Sequence, residues 1–131
     1  MKKSLVALLL STPLMCLILS CSNDNMNYLS VDVEEFEAAI SDTTVQVLDV
    51  RTAEEYMEGH IARSINIDVK TDTFEVGANT RLDKSHTVAL YCRSGRRSKK
   101  AAEILSNNGF KVIELNEGIT SWTNNNKTTI K

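Results

Sequence analysis

The sequence predicts an α/β fold, a three-layer sandwich whose central sheet is mostly parallel and has about five strands. Three observations carry that expectation. Short runs rich in branched side chains alternate with helical patterns along the chain. Two helix starts have a capping side chain followed three residues later by glutamate, at Asp32/Glu35 and Thr52/Glu55. Thr87-Val88-Ala89-Leu90-Tyr91 is almost wholly apolar, as a central strand covered on both faces should be.

Taken in order, Tyr28-Leu29-Ser30-Val31 is a short extended run. Asp32 then caps a helix whose inward positions are Phe36, Ala39 and Ile40. Val45 to Val50 forms a strand and leads into the Thr52–Glu55 capping box, whose short helix stops at Gly59. Ser64-Ile65-Asn66-Ile67 is another strand. Val69 to Lys84 is polar, contains Gly77, and reads as a long loop with some helix. After the central strand, a helix from about Ser98 presents Ala101, Ala102 and Leu105 and ends at Asn107-Asn108-Gly109. Lys111 to Leu115 is the last strand, and Gly118 to Trp122 the last helical turn or two, with Trp122 in the core. A polar run, Thr123 to Lys131, closes the chain.

Composition bounds the function more than it defines it. The 131 residues hold 15 Lys+Arg and 17 Asp+Glu, with 42% hydrophobic and 24% charged residues. Disorder throughout the chain is therefore not expected, and no positive excess points to nucleic acid.

The first twenty residues read as an address. Lys2 and Lys3 precede Leu5 to Leu10, a break at Pro13, and Leu14 to Leu19. The apolar stretch is shorter than the roughly 20 residues a spanning helix needs. Ile18-Leu19-Ser20-Cys21 resembles the lipobox of bacterial lipoprotein signals, which implies cleavage before Cys21 and acylation there. Two or more acyl chains anchor a protein stably. The expected organisation is a signal over 1–20, a lipidated cysteine and polar tether over 21–28, and one domain over 29–131. The expected location is the cell envelope, lipid-anchored to a bacterial membrane, periplasmic or outer-membrane associated. Ser22, where an aspartate would mark inner-membrane retention, favours the outer membrane in many two-membrane bacteria.

Of the three cysteines, Cys16 leaves with the signal and Cys21 takes the lipid, so Cys92 alone remains in the domain. It has no disulfide partner there. One thiol with two distant histidines, His60 and His86, makes no zinc site, and no metal or other cofactor is expected. Cys92 instead opens the run Cys92-Arg93-Ser94-Gly95-Arg96-Arg97-Ser98, between a buried strand and a helix start. A loop there turns backbone N–H groups toward an anion at the positive end of a helix, and Gly95 permits a backbone a side chain would obstruct. Arg93, Arg96, Arg97, Lys99 and Lys100 add five cations within eight residues, with no acid among them. Such a setting favours a nucleophilic thiolate and attracts an anionic substrate. Asp49 and Arg51 read as hydrogen-bonded braces at a sheet end, and His60 as structural.

These motifs resemble those of the rhodanese family of single-domain sulfurtransferases. The resemblance rests on Val47 to Arg51 with Glu54-Glu55-Tyr56, Gly59-His60-Ile61 and Ser64 to Ile67, on the Cys92 loop, and on Val112 to Leu115 with Gly118 and Trp122. It implies persulfide chemistry at Cys92. Arg93, Ser94, Gly95, Arg96, Arg97 and Ser98 would form the substrate-binding loop, with Asp49 and Arg51 in support. The implied partners are a small sulfur-containing anion such as thiosulfate, or a persulfide, and a thiol or cyanide acceptor. Two departures from the family pattern bear on substrate choice: Glu117 replaces the first of two glycines, and Arg63 stands where glycine is common. The rival readings are a non-catalytic sulfur carrier or protein-binding module and, further off, a cysteine phosphatase. The last needs arginine six positions after the nucleophile, where this chain has Ser98 and places Arg97 one residue earlier.

Overall fold

The computed structural model describes residues 27–131. The stretch read as a signal over 1–20, Cys21 and most of the stretch read as a tether lie outside them. Strands β1 (Leu29–Val31), β2 (Gln46–Asp49), β3 (Ile65–Asn66), β4 (Val88–Tyr91) and β5 (Val112–Leu115) form one sheet in the order β1-β5-β4-β2-β3. Every pair in it is parallel, so the sheet is wholly rather than mostly parallel. Parallel neighbours require crossovers, and helices supply them: α1 (Val33–Ile40), α2 (Ala53–Glu58), α3 (Phe74–Arg81), α4 (Arg96–Asn107) and α5 (Gly118–Asn124).

Alternation along the strands divides the core into two layers. On β4, Val88 and Leu90 face one layer, with Leu48, Phe74, Ala78, Ala101, Ala102, Leu105 and Val112 from α3, α4 and the neighbouring strands. Cys92, the first residue beyond β4, continues on that side. Ala89 and Tyr91 face the other layer, with Val33, Phe36, Val47, Leu115, Ile119 and Trp122. There Phe36 meets the Tyr91 and Trp122 rings edge-on, at centroid separations of 6.3 and 6.2 Å.

Most elements fall where the sequence places them, and the differences have identifiable causes. Asp32 caps α1 by accepting from the Glu35 N–H at 2.9 Å, while the reciprocal capping box closes only at Thr52 and Glu55. Helix α3 is the helical part of the Val69–Lys84 stretch, which was expected as a long loop with some helix and no bounds. Its composition is poor for a helix, but burial of Phe74 and Ala78 decides the matter. Helix α4 begins at Arg96, two residues earlier than expected, because Gly95 already turns the chain with φ 104°. The polar C-terminal run is tied down: Thr128 O accepts from Trp122 Nε1 at 2.9 Å, and Ile130 exchanges backbone hydrogen bonds with His60.

The β4 exit is the tightest part of the fold. The carbonyls of Cys92 and Arg93 accept from Ile119 and Thr120 N–H at 2.9 and 3.1 Å. This presses Gly118 (φ 65°) against them, so that a Cβ there would lie 2.4 Å from Arg93 O and 2.6 Å from Cys92 O. Gly118→Ala combines a left-handed backbone with a clash against main chain, so it should destabilise the domain by more than about 1 kcal/mol. Thermal unfolding should show a fall of at least several degrees; an unchanged midpoint would mean that the loop is not held this way.

Candidate active site

Cys92 sits where sites in parallel sheets are found, beyond the carboxyl ends of the central strands. It is 1% exposed. Gly95 N–H donates to its Sγ at 3.0 Å, and Sγ lies 3.3 Å from Ser98 Oγ as a donor to it. The sharp return of the loop is possible because residue 95 has no side chain: a Cβ there would fall 1.9 Å from Asn116 O. Arg93, Ser94 and Arg96 are exposed, whereas Ser98 is fully buried.

The five loop cations do not act together. Arg97 turns to α2 and forms a two-pronged pair with Glu55, Nη1–Oε1 2.7 Å and Nη2–Oε2 2.9 Å. Lys99 donates to Glu114 Oε1 at 3.0 Å and to Asn116 O and Oδ1 at 3.1 and 2.9 Å. The acids absent from the loop thus arrive from α2 and β5. Arg93 lines a cleft of about 360 Å³ with Arg51, Glu55, Glu58, Gly59, Ile119, Thr120, Thr123 and Thr129. Glu117 lies outside that cleft, in another with Asp32, Glu34 and Asn116. Its φ of −109° asks for no glycine, whereas Arg63 adopts φ 67°, the conformation for which glycine is suited.

Asp49 and Arg51 form a buried pair at the end of β2. Arg51 Nε donates to both carboxylate oxygens at 3.0 and 3.1 Å, Nη2 to Oδ2 at 2.6 Å, and Nη2 also to Gly59 O at 2.8 Å. The pair ties the end of β2 to the α2 C-terminus. His60 is stacked on Tyr56 at 3.7 Å with Nδ1 2.9 Å from Tyr56 O, and it is not among the residues lining the Arg93 cleft. Tyr91, whose phenol is pushed up by burial, accepts from Ile61 N–H at 3.0 Å.

Sequence reasoning missed Glu114. It is completely buried, accepting from Ser30 Oγ at 2.8 Å and from Ser98 Oγ at 3.0 Å. The available signal was an acid within the otherwise apolar Val112–Leu115 strand. Missing too was the Glu55–Arg97 pair, which joins residues 42 apart in sequence.

Hydrogen bonding from Arg97 holds the Glu55 carboxyl down to about 2. Its folded value is below the unfolded one, near 4.3, so the pair's contribution is complete above about pH 5 and is lost as pH falls toward 2. Glu55→Gln keeps a carbonyl for the Thr52 cap but removes the charge and the oxygen that accepts from Arg97 Nη2. At neutral pH the variant should be less stable by about 1 kcal/mol. Urea unfolding of both proteins across pH should show that difference shrinking from about pH 5 downward; a gap that persisted at pH 2 would count against the ion pair as its source.

Comparison with known proteins agrees with this architecture. Residues 32–125 match the model of the rhodanese-like domain. The chain is 40% identical over 72 residues to thiosulfate sulfurtransferase PspE of Escherichia coli, a match covering 55% of this chain and 68% of that protein. It is 34% identical over 105 residues to the putative sulfur carrier protein YrkF of Bacillus subtilis, covering 78% of this chain but only 55% of that longer relative. Among solved structures, the BH2092 protein of Bacillus halodurans superposes with a TM-score of 0.67 at 30% identity, covering 78% of this chain and 76% of that one. With its five-stranded parallel sheet and its cysteine loop at the end of β4, the chain belongs to the rhodanese-like family.

Proposed function

We propose that the protein is a sulfurtransferase of the thiosulfate type, working through a persulfide on Cys92. The observation that carries this reading is the sulfur itself, at the strand terminus with Gly95 N–H directed at it from 3.0 Å. In the first step the Cys92 thiolate attacks the outer sulfur of thiosulfate. The S–S bond of the donor breaks, sulfite leaves with its electron pair, and a Cys92 persulfide remains. In the second step an acceptor thiolate, or cyanide, attacks the terminal sulfur and the Cys92 thiolate is restored. This is covalent two-step catalysis, with ping-pong kinetics. The loop N–H groups stabilise the anionic sulfur, and Arg93, exposed beside Cys92 on the loop, draws the donor anion in.

Two other chemistries are less well supported. Arg97 is five positions after Cys92 and engaged with Glu55, so it is poorly placed to clamp a phosphoryl group. A pure sulfur-carrier role has a specific point in its favour, the likeness to YrkF. The two sulfur readings separate in one assay. Purified full-length protein, incubated with thiosulfate, should gain the mass of one sulfur atom on the Cys92 peptide and turn over with cyanide as acceptor. Cys92→Ala should lose both. A sulfur adduct without turnover would favour the carrier, and neither signal from a folded protein would overturn both readings.

The lipobox-like run at Ile18–Cys21 supports an envelope location, with the domain tethered to a membrane through acyl chains on Cys21. In bacterial cells supplied with labelled palmitate, the wild-type chain should take up label and sediment with membranes. Cys21→Ala should do neither; a variant that still incorporated label would refute lipidation at this residue.

A further inference from the structure

The chain enters the fold at one pole and carries its sulfur at the other. Every strand pair is parallel, so all five strands begin on one side of the molecule and end on the opposite side. Leu29 begins β1, whereas Cys92 follows the last residue of β4. The four residues of β4, at about 3.3 Å each, put roughly 13 Å of strand between the poles.

The entry pole is both apolar and basic. A groove of about 550 Å³ lies there, with Tyr28, Leu29, Ala39, Val45, Val112 and Ile113 in its lining. Leu29 is 62% exposed. Lys111 lines the groove as well, and Lys84 Nζ stands 5.4 Å from the ring of Phe110, the residue before it. Arg63 and Arg81 line a neighbouring hollow with Val45 and Gln46, at the start of β2. All four cations are exposed, and none has a carboxylate within salt-bridge distance among the described residues. Three acids are near. Asp42 and Asp83 each accept from the backbone and hydroxyl of a residue two positions on, Thr44 and Ser85, and Asp83 also lies 3.8 Å from His86. Glu103 acts on the Tyr28 phenol.

The position of the chain entry selects the partner. Asn27 lines the same groove and is only six positions after Cys21. Six residues span at most about 20 Å, even fully extended. A bilayer that holds Cys21 is therefore within reach of the groove, and a bilayer with anionic lipid offers an apolar interior beneath a negative surface. We propose that the entry pole docks on an anionic lipid surface, with Leu29 and Tyr28 at the headgroup–acyl boundary, so that Cys92 faces away from the membrane. The inference rests on the reading of Cys21 as the acylated anchor. The anchor by itself leaves the domain free to turn, whereas contact at the pole decides which end meets lipid. Sulfur would then be exchanged with soluble partners rather than with groups embedded in the same membrane.

The test is NMR of the isotope-labelled full-length protein in nanodiscs of phosphatidylethanolamine and phosphatidylglycerol. A trace of lipid bears a nitroxide near the glycerol end of its acyl chain, and ascorbate reduction gives the reference spectrum. The amides of Leu29, Thr43 and Lys111 should lose intensity, while those of Gly95 and Arg96 keep theirs. Leu29→Glu combined with Lys111→Glu should abolish the contrast between the poles, because losing a buried leucine alone lowers the docked population by about tenfold or more. The reference spectrum shows whether the variant is folded, and the wild-type pattern decides the matter if it is not. Equal broadening at both poles, or stronger broadening at the Cys92 loop, overturns the proposal. Intact mass of the same sample reads acylation of Cys21 separately. Broadening confined to the entry pole of an unacylated chain would uphold this face and refute the anchor. Equal broadening of an acylated chain would refute the face and leave the anchor standing.

Discussion

The carbonyls of Cys92 and Arg93 impose the constraint on which the rest of the site depends. Strand β4 pairs with β5 as far as Leu90 and with β2 as far as Tyr91, and beyond that the chain leaves the ladder inside the protein, where a carbonyl without a donor is costly. Ile119 and Thr120, at the start of α5, supply the donors. That solution brings α5 so close to the loop that residue 118 can have no side chain. On the other side, Asn116 O occupies the space a Cβ of residue 95 would need. The direction in which Cys92 points is thus fixed by main-chain contacts from the β5–α5 connection as well as by its own loop.

Electrostatics then sorts the basic residues the loop contains. A partly buried cation is tolerated where it is paired and fully hydrogen-bonded. Arg97 meets that requirement with Glu55, Lys99 with Glu114 and Asn116, and Arg51 with Asp49 and Gly59. Among the described residues, Arg93, Arg96 and Lys100 have no carboxylate within salt-bridge distance. All three are exposed. The structural ion pairs lie around and behind the loop, and the free positive charge is at its surface, where an approaching anion meets it.

How much of this was legible in the sequence depends on the range of the interaction. The strand–helix alternation, the Thr52–Glu55 box and the central strand are local patterns, and each appears where its pattern lies. Cys92 and Gly95 were legible for the same reason, as neighbours in one short run. The bounds of helix α3 were not, because its stability comes from burying Phe74 and Ala78 rather than from propensity. The acids that partner Arg97 and Lys99 lie 42 and 15 residues away in sequence, and only the fold brings them to the loop. Counting cations along the loop therefore overstated the charge acting on the sulfur.

That miscount matters for the chemistry. With five uncompensated cations, the surroundings of Cys92 would press in one direction only, toward the anionic sulfur. The folded chain instead places a buried carboxylate two hydrogen bonds behind the thiol, while Gly95 N–H approaches the same atom from the loop. Two of the five cations are thereby engaged in holding the fold, and the exposed charge that remains belongs to Arg93, Arg96 and Lys100.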